Sequence, residues 1–277
     1  MSFCSFGNTL GGTSVKARQN RVGTFLTIVT TGSPVYTVNG TLGDVNSYYT
    51  VTSANASNTI SFNFDNPTSN ARLRLLVLGA GGGGVSGGGT GGGAGAFLDI
   101  SFNLKTTTSQ TITVNNISQS VTDSNGSNST FNMSGGIDAI TGNYSIQGGL
   151  KGIEYGNFTS VATNGASNGG SGRQASTTNP QTTPTSTTVT INNSGLRTLQ
   201  GFRGGNPGVD YSNYYSGGGG AGGPGGSSGS SWDGGGGAGR SSDITGTSVT
   251  YGVGGNGGKF TNGNANNGIF IIRILQK

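Results

Sequence analysis

Arg72-Leu73-Arg74-Leu75-Leu76-Val77-Leu78, followed without a break by Gly79-Ala80-Gly81-Gly82-Gly83-Gly84, is the stretch on which the reading of this chain turns. A strand-like apolar run enters glycine, which continues through Gly87–Gly89, Gly91–Gly93 and Gly95. The chain leaves it at Phe97–Phe102, where Leu98, Ile100 and Phe102 alternate with Asp99 and Ser101. The pattern returns around Gly217–Gly226 and Gly234–Gly239, and the chain closes on Ile269-Phe270-Ile271-Ile272-Arg273-Ile274-Leu275. Each glycine costs a helix roughly 1 kcal/mol relative to alanine, and glycine also weakens a strand. A tract of it is useful where backbones must approach more closely than any side chain permits.

A nucleotide-binding reading fails on the same stretch. Gly79-x-Gly81-x-x-Gly84 follows a strand, and Asp99 lies at a suitable distance onward, but the dinucleotide fingerprint needs its third glycine to open a helix. Here Val85-Ser86 and more glycine follow, and among 58 glycines such a match arises by chance. Gly258-Lys259 is followed by Phe260 rather than Ser or Thr, so it is no phosphate loop.

The 277 residues suit one large all-β domain or two smaller ones. Charged residues make up 8%, far below the usual quarter or so. Disorder is the bland reading of a Gly/Ser-rich chain, but the strand-like runs are well spaced and oppose it. The net charge of +5 is thinly spread, and only Lys16, Arg18 and Arg21 cluster. With no basic stripe interleaved with aromatics, nucleic-acid binding is not expected, and the three cations are read as assembly candidates in and just after an N-terminal arm, residues 1–20.

One cysteine, Cys4, excludes an internal disulfide framework and a cysteine-rich zinc site. The absence of histidine removes the usual triads, metal sites and acid–base pairs, so the expectation is a non-enzyme with no cofactor and no metal. A carboxylate pair of the glycosidase kind is the remaining enzymatic rival, and no two acidic residues are grouped to favour it.

From Thr24 the sequence reads as β: Thr24–Val29, Val35–Val38, Tyr48–Thr52 and Thr59–Phe64 form a small module over 21–70. Ile60, Phe62 and Phe64 alternate with Ser61 and Asn63, which marks a strand with one buried face. Residues 71–277 form the glycine-rich domain, with strands at Arg72–Leu78, Thr111–Val114, Thr187–Ile191 and around Ile244 and Val249–Tyr251. A glycine-poor insert spans 115–200, with apolar islands at Ile137–Ile140 and Phe158–Val161. No window shows helical spacing. The expected fold is all-β, β-sandwich-like sheets with packed polyglycine strands of the extended, three-residue, left-handed kind, whose backbone groups bond only to neighbouring tracts.

Ala221, Pro224, Ser227 and Ser230 recur at a spacing of three, as do Val253, Asn256 and Lys259, whereas Ser86, Thr90 and Ala94 are four apart. The period is broken, so this is not collagen. Loops between tracts hold Tyr211, Tyr214, Tyr215, Trp232, Asp233, Tyr251 and Phe260. Aromatics on rigid loops are favoured anchors for sugars or protein surfaces, and equally serve to cap the bundle or fill its core.

The order of motifs carries a resemblance: Leu75–Gly84, Gly91–Phe97, Ser216–Gly225, Gly234–Arg240, Ser248–Tyr251 and Gly268–Arg273. Over about residues 71–277 the chain resembles the glycine-rich domain of phage and large-virus structural proteins, tail-fibre and capsid-associated ones included. It is similar in principle to the polyglycine sandwich of phage tail-tip adhesins. That resemblance implies a virion protein whose loops contact a host surface glycan or outer-membrane protein, with other virion proteins and further copies of itself as partners.

The composition agrees with this expectation. It is that of an exported surface protein, yet Met1–Gly7 does not read as a secretion signal. No apolar run approaches the roughly 18–20 residues that span a bilayer, so membrane insertion is not expected. The expected location is the virion, assembled in the host cytoplasm. Alternatives are a minor capsid or capsid-decorating protein and, further off, an ice-binding protein. Sequons such as Asn39, Asn116 and Asn157 follow from composition.

Overall fold

The computed structural model describes residues 25–65, 67, 71–85, 89–104, 109–134, 142–153, 165–171, 184–190, 196–206, 215–229, 232–258 and 263–277. Every element among them is a strand: β1 Leu26–Thr31, β2 Val35–Asn39, β3 Tyr48–Ser53, β4 Thr59–Phe64, β5 Arg72–Leu78, β6 Phe97–Asn103, β7 Gln110–Asn116. Then come β8 Ser129–Ser134, β9 Gly142–Ile146, β10 Thr187–Thr190, β11 Leu196–Leu199, β12 Arg240–Ser242, β13 Val249–Tyr251 and β14 Ile269–Gln276. The fold is all-β, and among the described residues every pairing between these strands is antiparallel.

Two five-stranded sheets, β1-β4-β7-β8-β9 and β2-β3-β14-β5-β6, face each other as a sandwich. Alternation decides which side chains enter the core. Ile60, Phe62 and Phe64 of β4, Ile112 and Val114 of β7, and Phe131 and Met133 of β8 project from the first sheet. Tyr49, Val51, Leu73, Leu75, Val77, Ile100, Phe102, Phe270 and Ile272 meet them from the second. Phe270 joins the layers, stacked 6.1 Å from Phe62 and edge-on 5.7 Å from Phe131.

Residues 26–64 supply strands to both sheets. The segment read as a small module, 21–70, and the segment read as the glycine-rich domain, 71–277, therefore share one core.

The second sheet is apolar on part of its outer face as well. Leu76, Leu78, Phe97 and Ile271 are covered there by Ala221 and by Ile244 and Tyr251 of the β12–β13 hairpin. Arg74 ties the hairpin down. Its Nε and Nη2 donate to Asp99 Oδ1 and Oδ2 at 2.8 and 2.7 Å, and its Nη1 donates to Asp243 Oδ1 at 2.6 Å. The outer face of the first sheet is by contrast uncharged: Thr27, Ser61, Asn63, Thr111, Thr113, Thr130 and Asn132 lie across it. The apolar islands at 137–140 and 158–161 lie outside the described residues.

Candidate functional site

Several strands of both sheets continue, at one end of the sandwich, into the glycine tracts. Residues 79–85 prolong β5 and 89–96 lead back into β6; 121–128 lead into β8, 147–153 follow β9 and 263–268 lead into β14. Residues 165–171, 200–206, 215–229, 232–239 and 252–258 complete the assembly. None of these tracts is a strand or a helix, and most of their backbone bonds run to other tracts.

The partners rotate with a period of three. Ala80 N–H bonds to Ser127, Gly81 to Asn266, Gly82 to Gly93, and Gly83 returns to the 121–128 tract at Ser124, at 2.8–3.1 Å. In the adjoining tract Gly91 bonds to Ser216, Gly92 to Gly263, Gly93 to Leu150, and Ala94 returns to 215–222 at Gly219.

Exposure has the same period. Residues 79–84, 89–96, 165–171 and 215–221 are buried throughout, as the interior of the array. In surrounding tracts every third residue reaches solvent: Trp232, Gly235 and Ala238 on one, Val253 and Asn256 on another. The interior leaves no room for side chains; a Cβ on Gly92 would overlap the Gly82 carbonyl, and one on Gly218 the Gly92 carbonyl.

Asparagine side chains stand in for missing backbone acceptors at the periphery. Asn125 and Asn128, three apart, accept from the amides of Lys151 and Gly148, also three apart, both at 3.0 Å. Asn256 accepts from Gly236 N–H at 2.7 Å and Asn264 from Gly84 N–H at 2.9 Å. The motif reading names Asn256 only for its spacing of three and passes over Asn125, Asn128 and Asn264; the spacing of three between Asn125 and Asn128 is the signal that points to that pair.

Residues 79–85 and 89–96 run away from the sandwich and back, whereas 147–153, 165–171 and 200–206 run parallel to one another, all outward, and the far ends gather at one tip. Gly258 N–H bonds to Gly89 C=O at 2.7 Å, Gly234 N–H to Tyr215 C=O at 2.8 Å, Ser228 N–H to Asn206 C=O at 3.1 Å and Asp123 N–H to Gly84 C=O at 3.0 Å. The ends that flank residues 86–88, 207–214, 230–231 and 259–262 therefore lie together.

Tyr211, Tyr214 and Phe260, as well as Lys16, Arg18 and Arg21, fall outside the described residues. Trp232 is at the tip and 60% exposed, with its ring against the Gly229 backbone. Asp233 next to it accepts from Tyr215 N–H at 2.8 Å and so ties two tract ends together. Tyr215 is 4% exposed and packs beside Gly89, so its ring contributes to the array. Tyr251 sits at the opposite end, on β13, 9% exposed and 6.4 Å from the Phe97 ring. Burial raises its phenol above the ordinary range. Of the described candidates, the structure brings Tyr215, Trp232 and Asp233 together and places Tyr251 elsewhere.

No curated protein and no solved structure gives a significant match to the chain. A family model for a glycine-rich domain matches residues 55–274, which takes in most of both sheets and every tract of the array. The match spans well over half of the chain, and the chain belongs to the glycine-rich domain family.

Proposed function

We propose that this chain is a non-enzymatic attachment scaffold on the surface of a virion, of the tail-fibre or tail-tip adhesin kind. Its tracts pack as polyglycine strands with three residues per turn and hold loops at the tip against a host surface glycan or outer-membrane protein. One observation carries the reading: chain segments far apart in sequence end side by side at a single tip, remote from the sandwich. Support for the three-residue turn comes from the period of three shared by bonding partners and exposure.

A rigid, nearly uncharged array suits display, since loops held by fixed ends lose little freedom on binding. Trp232 supports the contact role, being a large aromatic that is open to solvent and seated on backbone. The virion setting rests on the composition and the motif order. Partners under this reading are other virion proteins, further copies of the chain and the host receptor.

The test is binding of the purified chain to candidate host cells. Trp232→Ala is expected to lower binding at least about tenfold, a loss typical of an interface anchor, at unchanged melting temperature. Thr31→Ala, on β1, should leave binding as it was. A protein that ignores cells and coats empty capsids would instead be a capsid-decorating protein. Trp232→Ala binding cells as well as the parent would remove the anchor assignment.

A further inference from the structure

β2 is an edge strand of the second sheet with an apolar surface. Val35 is 56% and Val38 44% exposed, Tyr36 is also open, and Val45 follows in the next loop. Tyr36 pairs with Val51 and Val38 with Tyr49, both core residues, so Tyr36 and Val38 are on the core-facing side of their sheet. β2 thus extends the core-facing side beyond β3, whose Tyr49 packs on Phe62 of β4, and no described element covers it there. An uncharged apolar edge with unpaired amides invites another strand.

The chain itself supplies a candidate at this spot. Residues 1–24 precede Phe25, whose C=O accepts from Asp65 N–H at 3.1 Å. Phe25 and Leu26 also border Gly43, in the loop that follows β2. The segment therefore enters the fold within a few residues of the end of β2. It carries Lys16, Arg18 and Arg21, and its point of entry is flanked by two acidic residues, Asp44, which Lys277 Nζ also meets at 2.9 Å, and Asp65, which accepts from Ser109 Oγ at 3.0 Å. Phe3, Phe6, Leu10, Val15 and Val22 give it apolar side chains.

We propose that residues 1–24 dock along β2 of their own chain. They cover Val35, Tyr36 and Val38, with the basic cluster held near Asp44 and Asp65, and thereby close the edge to a second copy. The proposal is independent of any role for the tip.

Amide hydrogen exchange on the full chain tests it, together with sedimentation. The β2 amides that point away from β3 should exchange at least about tenfold more slowly in the parent than in Lys16→Glu/Arg18→Glu/Arg21→Glu, independent of protein concentration. Trypsin should cut after Lys16, Arg18 and Arg21 more slowly in the parent than in Val38→Lys, which puts a charge on the docking edge. Outward β2 amides that exchange freely in the parent overturn the proposal. So does protection that fades on dilution while the protein dissociates, because the occupant is then a second copy.

Discussion

Gly92 and Gly235 look alike in the sequence, each flanked by glycine, and the structure gives them opposite constraints. A Cβ at Gly92 would overlap the Gly82 carbonyl, and the Gly92 amide and carbonyl are both bonded, to Gly263 and Gly255 at 2.8 Å. Gly235 is exposed and a Cβ there meets nothing within 4 Å. Gly92→Ala should therefore cost about 3 kcal/mol or more, the upper range for overpacking. Gly235→Ala should be neutral or stabilising by up to about 1 kcal/mol, because it restricts the unfolded chain. Thermal unfolding of the two variants checks this, and equal losses would refute close packing as the role of glycine. Composition shows that glycine is required in bulk, but which neighbour faces each one depends on how the tracts pack, as Gly92 meets Gly82 of the adjoining tract and bonds to Gly255 and Gly263, more than a hundred residues away.

Elements were legible where alternation was strong. Thr59–Phe64 and Arg72–Leu78 lie where the sequence places them, and β1, β3, β6, β7 and β14 differ from expectation by a few residues at their ends. β8, Ser129–Ser134, was not legible, since Phe131 and Met133 are its only apolar side chains and its identity comes from pairing with β7 and β9. β9 and β11 were missed for the same reason.

The sequence presents 115–200 as a glycine-poor insert, and this stretch contributes 121–128, 147–153 and 165–171 to the array. Residues 121–128 keep side chains because they lie on its outside, where Gly126 is the position that faces a backbone carbonyl. At the tip, Trp232 was legible as an aromatic in a loop, whereas the burial of Tyr215 depends on the distant Gly89.

The β12–β13 hairpin gives the test at this scale. Arg74→Met leaves the part-buried Asp99 carboxylate without its bidentate partner and should cost about 2 kcal/mol. Asp243→Asn, at an exposed end of the network, should change stability far less. Bonding to Arg74 holds the Asp243 carboxyl below its usual range. Its contribution is thus present above the ordinary carboxylate range and lost as pH falls through the lowered value.

Over the whole molecule, one core joins strands from both ends of the described chain, and the array grows out of that core without a linker. β14, near the C-terminus, pairs with β3 and β5, and the tract that leads into it, 263–268, bonds to those that extend β5 and lead into β6. Sandwich and array should unfold together, and the attachment role proposed above needs this, because loops at the tip are only as fixed as the tracts that hold them.

The central claim is that the glycine tracts are a bonded array rather than linkers, and amide hydrogen exchange tests it most directly. The amides of Gly82, Gly92, Gly93, Gly218 and Gly255, each bonded to another tract at 2.8–2.9 Å, should be protected to the same extent as the core strands β5 and β14. Exchange at these glycines at the rate of an open loop, with β5 and β14 still protected, would contradict the account.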